Sequence, residues 1–216
     1  IRGFKEARSE IPQYAIEYTE LRSISDPLTL SFQGPTTVPL LPVDVGPSGC
    51  WWSNSGDSID STLSHRVDLP SGATAAMDYE VWFEIEEDWD YLYLEVSVDG
   101  GRNWQIIETP ATSPENPIGT GFGPGYTGAS GGWLRESVDL SPFAGEDLWV
   151  RFQYVTDDAI NATGACIRDL SIEFGSSASG IAADDPGWEA QGFVFIDNVV
   201  RQGFQVQLIT TGDNPQ

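Results

Sequence analysis

Residues 79–104, YEVWFEIEEDWDYLYLEVSVDGGRNW, indicate the fold class because they read as two β-strands with an acidic turn between them. From Tyr91 to Val98, aromatic and polar side chains alternate with leucine and valine, a period of two that sends one set of side chains into a core. Asp99-Gly100-Gly101 then supplies the glycines that a tight hairpin turn needs, and Trp104 opens the return strand. We therefore predict that this stretch is the centre of a sheet.

The acidic turn is unusual in its density of charge. Five carboxylates occupy the seven positions from Glu84 to Asp90, around a single tryptophan, Trp89. No lysine or arginine occurs between residues 67 and 101, so no basic side chain nearby in sequence offsets the repulsion. A bound cation would offset it, and we predict one.

The whole composition points to an acidic, strand-rich protein. Acidic residues outnumber basic ones 33 to 10, which gives a formal charge of −23 and argues against binding to nucleic acid or to anionic membranes. Twenty-three glycines and eight tryptophans, against one histidine and one methionine, are typical of strands and turns. No apolar run approaches the ~20 residues that cross a bilayer, so we expect no membrane insertion. The start at Ile1 suggests a processed or excised piece, and the composition suggests a secreted, extracellular protein.

Short alternating segments bounded by glycine and proline recur along the chain, with no helical period. About eight of them between residues 28 and 174 predict an antiparallel, jelly-roll-like β-sandwich. We divide the chain into an N-terminal extension with an edge strand (1–27), the sandwich (28–175), and C-terminal strands that dock on it or begin another module (176–216). The predicted strands are 14–23, 28–32, 50–53, 63–69, 75–85, 91–98, 104–108, 133–140, 148–156, 165–174, 192–196 and 204–209.

The two cysteines and the longest loop bear on how this sandwich is held together. If Cys50 and Cys166 pair, they close a loop that contributes ~4–5 kcal/mol in the chain-entropy model; two reduced, buried thiols are the alternative. They lie in an early and a late strand, which are often neighbours in such sheets. Residues 109–132 form a glycine-rich loop that we expect to be functional or tied down by Phe122 and Tyr126.

Four segments in order carry a resemblance to a known family: WWSNSGDSIDSTLSHRVDL, WFEIEEDWDYLYLEVSVDGGRNW, GFGPGYTGASGGWLRESVDLSPFAG and LWVRFQYVTDDAINATG. Together they resemble the MAM-like sandwich, similar to galactose-binding-like jelly rolls, of the immune inhibitor A family of secreted bacterial metallopeptidases. The resemblance implies a zinc endopeptidase whose HExxH motif lies upstream of the matched region. This chain has no HExxH, so the resemblance implies an accessory portion whose partner is the peptidase domain of the same precursor or of a sister chain.

The resemblance also implies calcium, because the family sandwich is similar to calcium-binding jelly rolls. Its last strand usually carries two adjacent aspartates, and here that pair is Arg168-Asp169, so one cation position departs from the pattern. Calcium takes six to eight oxygen ligands. No zinc is expected, since His65 has no second histidine and no nearby cysteine with which to form a site. The predicted calcium ligands are Asn54, Asp57, Asp60, Glu86, Asp88, Asp90 and Asp169, and a solvated acidic face is the alternative.

Other functions were weighed on the same residues. A pair of carboxylates within 84–90 could serve a glycosidase, and Ser-His-Asp chemistry would have to use His65; both are less favoured. Exposed aromatic side chains could stack on a glycan or anchor a protein substrate, although burial in the core is the more frequent role of such residues. The candidates for ligand contact are Trp51, Trp52, Trp89, Tyr126 and Trp133.

We therefore expect a secreted, calcium-stabilised β-sandwich accessory domain that acts in docking or substrate presentation and performs no chemistry. The alternative is a carbohydrate-binding or self-assembling surface module.

Overall fold

The computed structural model describes residues 8–12, 14–21, 29–175 and 180–209. It divides into two compact units, one formed by residues 36–202 and one by residues 1–35 with 203–216. The larger unit contains every strand assigned in the described residues. The strands are β1 Thr37–Pro39, β2 Cys50–Trp52, β3 Asp60–Val67, β4 Ala75–Glu84, β5 Tyr91–Ser97, β6 Gln105–Ile106, β7 Leu134–Asp139, β8 Leu148–Val155, β9 Gly164–Phe174, β10 Gly180–Ala182, β11 Glu189–Gln191, β12 Val194–Ile196 and β13 Val199–Arg201.

These strands build two sheets and a small ribbon. One sheet has the order β12-β2-β9-β4-β7, with β10 beside the second half of β9, and the other has the order β11-β3-β8-β5-β6. The ribbon pairs β1 with β13. All of these strand pairs are antiparallel, which confirms the predicted antiparallel β-sandwich.

Alternation along the strands explains the core between the sheets. In β8, every second residue from Leu148 is buried, and the residues between them are half-buried. The buried set, including Phe152, packs with residues of the facing sheet such as Val81 and Ile167 in one hydrophobic cluster. Burying such a side chain contributes about 1.5–3 kcal/mol.

The central stretch folds only partly as predicted: β4, β5 and the hairpin to β6 are present, but β4 and β5 lie in different sheets and neither is the middle strand, so the prediction that this stretch is the centre of one sheet is wrong. β5 is buried along its whole length. Its hairpin turns through Gly100 and Gly101, both with positive φ, which glycine adopts without strain. The Asp99 carboxylate holds the turn by accepting hydrogen bonds from the Arg102 amide and from the Asn103 amide and side chain.

A disulfide joins Cys50 on β2 to Cys166 on β9, with a Cα–Cα distance of 5.8 Å. It lies in a second, smaller hydrophobic cluster with Leu41, Val45 and Trp82. The predicted pairing is therefore confirmed. It fixes a three-residue strand, β2, to the longest strand of the sheet.

The long loop 109–132 is tied down at its base. Tyr126 is fully buried, and its hydroxyl lies 2.7 Å from that of Tyr79 and 2.9 Å from the hydroxyl of Thr109. Thr109 also donates a hydrogen bond to the buried carboxylate of Glu136. Farther along, the Phe122 ring stacks near Tyr93, at 5.6 Å between centroids. The prediction that Phe122 and Tyr126 hold this loop is confirmed.

The strands predicted outside the larger unit are wrong. Residues 14–21, 29–35 and 203–209 form no strand, although 22–28 lie outside the described residues. Their alternating side chains have no sheet to bury them, and Tyr14, Ile16 and Leu208 are exposed. In this smaller unit the rings of Phe32 and Phe204 pack 5.1 Å apart.

Four short strands, by contrast, were not predicted. They are β1, β10, β11 and β13, each three residues long. β10 and β11 extend the two sheets by pairing with β9 and β3, and β12 adds a further edge beside β2.

Candidate metal centre

Three connections between the two sheets meet at one end of the sandwich. They follow β2, β4 and β8 and lead to β3, β5 and β9, so each crosses from one sheet to the other. The first and third are hydrogen-bonded together: Ser58 donates its amide to the Asp157 carbonyl, and Thr156 donates its hydroxyl to the Gly56 carbonyl at 2.8 Å. The second joins them through the Asp157 amide, which donates to Asp90 Oδ1 at 2.9 Å.

Three carboxylates come together where these connections meet. One oxygen each from Glu86, Asp90 and Asp157 lies within 4.8 Å of the others. Asp90 is fully buried, and its Oδ2 has no hydrogen-bond partner in the described structure. Glu86 Oε2 is likewise buried without a partner. Buried carboxylate oxygens without a partner are costly unless something positive or hydrogen-bonding faces them.

The raised pKa of Asp90 reflects the same cost of burying a carboxylate. Burial raises the pKa of its carboxyl to about 6, and the charges of Asp157, Glu86 and Asp57 act in the same direction, against the hydrogen bond from the Asp157 amide. Below it, the Tyr154 hydroxyl is also buried without a partner, and its pKa is raised by burial and by the Asp90 charge. Among the described residues, therefore, no positive charge compensates these buried polar atoms.

The donor set fits a hard cation such as calcium. All three groups offer carboxylate oxygens, which calcium prefers, and one oxygen of each lies within 4.8 Å of the others. The exposed carboxylate of Asp57 adds negative charge close by. A zinc site would need histidine or cysteine. His65 lies elsewhere, with Nε2 3.2 Å from Asp185 and its ring packed on Trp188, and both cysteines are in the disulfide.

Five of the predicted ligands lie outside this cluster, and one of them, Asp57, accepts a hydrogen bond from the Asn161 side chain at 2.7 Å. The Asn54 side chain accepts a hydrogen bond from the next amide, and the Asp60 carboxylate accepts one from Gln153 at 2.7 Å on the outer face of the five-stranded sheet. Asp88 is hydrogen-bonded through its backbone: its amide donates to Thr127 Oγ1, and its carbonyl accepts from the Tyr91 hydroxyl. Asp169 is an exposed side chain within β9, away from the sheet crossings.

Asp157 is the member of the cluster that the sequence analysis missed. Strand pairing is the signal that identifies it: Tyr91 at the start of β5 pairs with Val155 at the end of β8. In an antiparallel pair, the residues just before one strand lie beside those just after the other. Asp157 is thus placed beside Asp90, a neighbour that no local motif reveals.

Arg168, where the aspartate pair is interrupted, is bound to other groups. Its guanidinium donates two hydrogen bonds to Glu80 Oε2, at 2.9 and 2.8 Å, and one to the Asp44 carbonyl at 3.1 Å. It lies over the Trp133 ring, 4.0 Å from the centroid. The Arg168 guanidinium therefore supplies the positive charge beside the Glu80 carboxylate.

Most aromatic candidates for ligand contact are engaged internally. Three tryptophans donate their indole N–H to backbone carbonyls: Trp51 to Ala183, Trp52 to Thr163 and Trp133 to Asp44. Tyr126 is buried. Among these candidates, Trp89 alone is substantially exposed, at 41%.

One serine motif also has an internal role. Residues 128–132, GASGG, have the GxSxG spacing of some hydrolases. Here Ser130 Oγ is hydrogen-bonded to the amide and carbonyl of Phe83, at 3.1 and 3.2 Å, and serves to hold the loop to β4. His65 is bonded to Asp185 instead.

The fold and the cluster define a class of protein: a disulfide-linked antiparallel β-sandwich domain with an acidic cluster at one end. Within that class, the chain belongs to the immune inhibitor A-like MAM domain family, whose model matches residues 42–198. The resemblance seen in the sequence motifs is thereby confirmed.

Relatives of this chain include much larger proteins. Pre-pro-metalloprotease PrtV of Vibrio cholerae serotype O1 is 31% identical over 123 residues, which make up 57% of this chain and 13% of that protein. Immune inhibitor A of Bacillus thuringiensis subsp. alesti is 27% identical over 148 residues, 67% of this chain and 20% of that protein. Bacillopeptidase F of Bacillus subtilis is 24% identical over 123 residues, which make up 57% of this chain and 8% of that protein. The chain thus spans a fifth or less of each of these relatives.

Among the residues that the structure describes, none forms a helix with the length and apolar character needed to span a membrane.

Proposed function

We propose that this chain is a non-catalytic, calcium-stabilised accessory domain of a secreted peptidase, which docks beside the peptidase domain of the same precursor or presents substrate to it. Family membership supports the accessory role, as does the small share of each relative that the chain covers. Relatives named as a metalloprotease and a bacillopeptidase both contain a matching segment. A domain shared in this way is best explained by a task that peptidases have in common, rather than by the chemistry of one of them.

The proposal assigns no chemistry to this chain. Its one histidine is packed against Trp188 and bonded to Asp185, and Ser130 is bonded to the β4 backbone. A nucleophile and a base within hydrogen-bond reach are the minimum for acyl transfer, and these two residues have other partners. Hydrolysis of casein by the isolated, purified chain would contradict this part of the proposal.

The proposed calcium site rests on one observation: buried Asp90, with an oxygen that has no partner, lies beside Glu86 and Asp157. Two negative charges about 5 Å apart repel by about 3 kcal/mol at an effective dielectric constant of 20. Three such pairs cost a substantial part of the ~5–15 kcal/mol that a domain has to spare. When bound, calcium would supply the missing positive charge, and Glu86, Asp90 and Asp157 would hold it.

In this proposal the cation acts mechanically. It would join the three connections that cross between the sheets, and so fix the end of the sandwich that they form. A rigid end resists cleavage, because proteases cut locally opened chain. Such resistance suits a domain attached to a peptidase.

The test is thermal unfolding with calcium titrated against excess EDTA, together with calorimetric binding. A ligand that binds only the folded state stabilises it by about 2.7 kcal/mol at one hundred times its Kd, so the midpoint should rise steadily with calcium. Asp90→Asn keeps the side-chain oxygen that accepts from the Asp157 amide but removes a charge; it should abolish the calcium response without lowering stability in EDTA. Asp169→Asn, an exposed aspartate outside the cluster, is the matched control and should respond like the natural protein. An unchanged midpoint of the natural protein in EDTA and in calcium would refute the site.

A further inference from the structure

The acidic connection between β4 and β5 also holds the long loop 109–132. Thr127 is the link between them: its Oγ1 accepts a hydrogen bond from the Asp88 amide at 2.8 Å and donates one to the Glu86 carbonyl at 3.2 Å. Thr127 therefore lies outside the carboxylate cluster but is hydrogen-bonded to the backbone of one of its members, Glu86, and to that of Asp88.

Asp88 makes a second set of contacts through its carbonyl. This oxygen accepts from the Tyr91 hydroxyl at 3.1 Å and from Thr120 Oγ1 at 3.3 Å. The Tyr91 hydroxyl also lies 3.3 Å from the Glu115 carbonyl. Residues 115–120, the tip of the long loop, are therefore held against the turn that Glu86 and Asp90 flank.

The two halves of the loop depend on different supports. The base, at Thr109 and Tyr126, is held by the buried hydroxyl network and lies against the sandwich core. Residues 115–120 at the tip are exposed, and they are hydrogen-bonded to the rest of the sandwich at Tyr91, Asp88 and Trp89. Loss of the 86–90 turn would consequently free the tip and leave the base in place.

Two features make the conformation of the 86–90 turn sensitive to the charges of Glu86 and Asp90. The Asp90 amide donates to the Glu86 carbonyl at 3.1 Å, which closes the turn, and Asp88 at its apex has a left-handed backbone with φ of 68°. Aspartate adopts this conformation more readily than most residues other than glycine, but it still carries strain that the surrounding contacts offset. The carboxylates of Glu86 and Asp90 lie on either side of that apex and repel each other.

We propose that cation binding at Glu86, Asp90 and Asp157 controls the order of the loop tip, residues 115–120, through Thr127 and the Asp88 carbonyl. This inference rests on the proposed calcium site. With the cation, the turn is closed and the tip is held. Without it, the repelling carboxylates separate, the Asp88 backbone leaves its left-handed conformation, and the tip opens as a local unit while the sheets stay folded. The tip carries Ile118, exposed at 46%, so the cation would also fix how this apolar side chain is presented.

Hydrogen–deuterium exchange on the full chain, with saturating calcium or excess EDTA, tests this coupling. The Gly119 and Gly121 amides both donate to the Asn116 side chain within the tip, so they report on its order. They should exchange at least about tenfold faster in EDTA, whereas amides of β3 should change by less than about twofold.

Thr127→Val separates the coupling from the binding. It keeps the shape of the side chain and removes both hydrogen bonds, but leaves every clustered carboxylate in place. Calcium affinity measured by calorimetry should stay within about threefold, while the tip exchanges rapidly in both conditions. Thr62→Val, on the outer face of β3, is the control and should preserve the calcium-dependent protection.

The outcomes distinguish this inference from the proposed function. Calcium binding with identical tip exchange in calcium and EDTA overturns the coupling and leaves the calcium site standing. Retained calcium-dependent protection in Thr127→Val overturns the route through Thr127. Absence of any binding heat and of any thermal shift removes the site, and the coupling with it.

Discussion

At the scale of single residues, Glu80 shows how this acidic chain uses its few basic side chains. Its carboxylate is mostly buried, accepts two hydrogen bonds from Arg168, and accepts one from Arg135 at 2.9 Å. The hydrogen bonds from Arg168, and then those from Arg135, lower the pKa of Glu80, outweighing the effect of burial. The guanidinium group of Arg168 is held in turn between this carboxylate and the Trp133 ring.

We predict that Glu80→Gln flattens the acid side of the stability profile. A carboxyl whose pKa is lowered by folding stabilises the protein above its unfolded pKa, near 4.5, and this contribution is lost as pH falls through the folded value. The variant should be less stable at pH 7 by about 1–3 kcal/mol, because Arg168 keeps only neutral acceptors. Urea unfolding between pH 3 and pH 7 measures the difference, which should shrink toward the acid end.

The control for this prediction is Glu173→Gln, an exposed glutamate on the same strand as Arg168. It should leave the profile within about 0.5 kcal/mol of the natural protein. A Glu80→Gln deficit that is the same at pH 3 and at pH 7 would show that packing, rather than charge, carries the effect.

The candidate site could be predicted from sequence only where its members are local. Glu86 and Asp90 belong to one dense acidic run, so charge density alone identifies them. Asp157 lies 67 positions beyond Asp90, and only the pairing of β5 with β8 places it there. Asp169 lies outside the cluster: a family pattern assigns a residue type, while the end of the sheet at which that residue lies depends on the register of β9.

At the scale of elements, the long alternating strands were predictable, whereas four of the six three-residue strands, β1, β10, β11 and β13, were not. β5 and β8 carry seven or eight alternating residues each, so they bury a face wherever they pair. A strand such as β10 contains only Gly180, Ile181 and Ala182, and it is a strand because β9 offers it an edge. The reverse error occurred at 204–209, which alternates but has no strand partner in the described structure.

The disulfide is the element-scale constraint whose removal is easiest to measure. We predict that the double variant Cys50→Ala, Cys166→Ala loses about 4–5 kcal/mol of unfolding free energy, since the pair closes a loop of 116 residues. Both sulfurs lie in the small cluster with Leu41, Val45 and Trp82, so a cavity cost adds to the chain-entropy term. Urea unfolding gives the value, and the natural protein unfolded in reductant is the matched comparison. An unchanged midpoint would show that β2 is held by its backbone pairing alone.

At the scale of the whole molecule, the net charge of −23 makes cations a general requirement as well as a local one. Ten basic residues cannot neutralise 33 acidic ones, and the resulting self-repulsion destabilises a compact state. Monovalent salt screens this repulsion over about 10 Å at 0.1 M, but exposed charges gain more from screening than buried ones. In the proposed site a bound ion would neutralise the buried carboxylates, whereas ionic strength is enough to screen the charges on the surface.

Every strand of the described structure lies within residues 36–202, so we predict that this unit folds without the residues on either side. β1 and β13 pair near its two ends, and the Gln202 amide donates to the Thr36 carbonyl at 2.8 Å. A fragment of residues 36–202 should unfold in one cooperative transition and keep the calcium response of the full chain.

A fragment of residues 36–175 is the informative comparison, because it lacks three side chains that are buried in the main core: Ile181, Trp188 and Phe193. Each contributes about 1.5–3 kcal/mol, so their combined loss approaches the whole stability of a domain. Calorimetry should therefore show a sharp transition for 36–202 and none for 36–175; a cooperative transition in the shorter fragment would show that the sandwich is complete before β10.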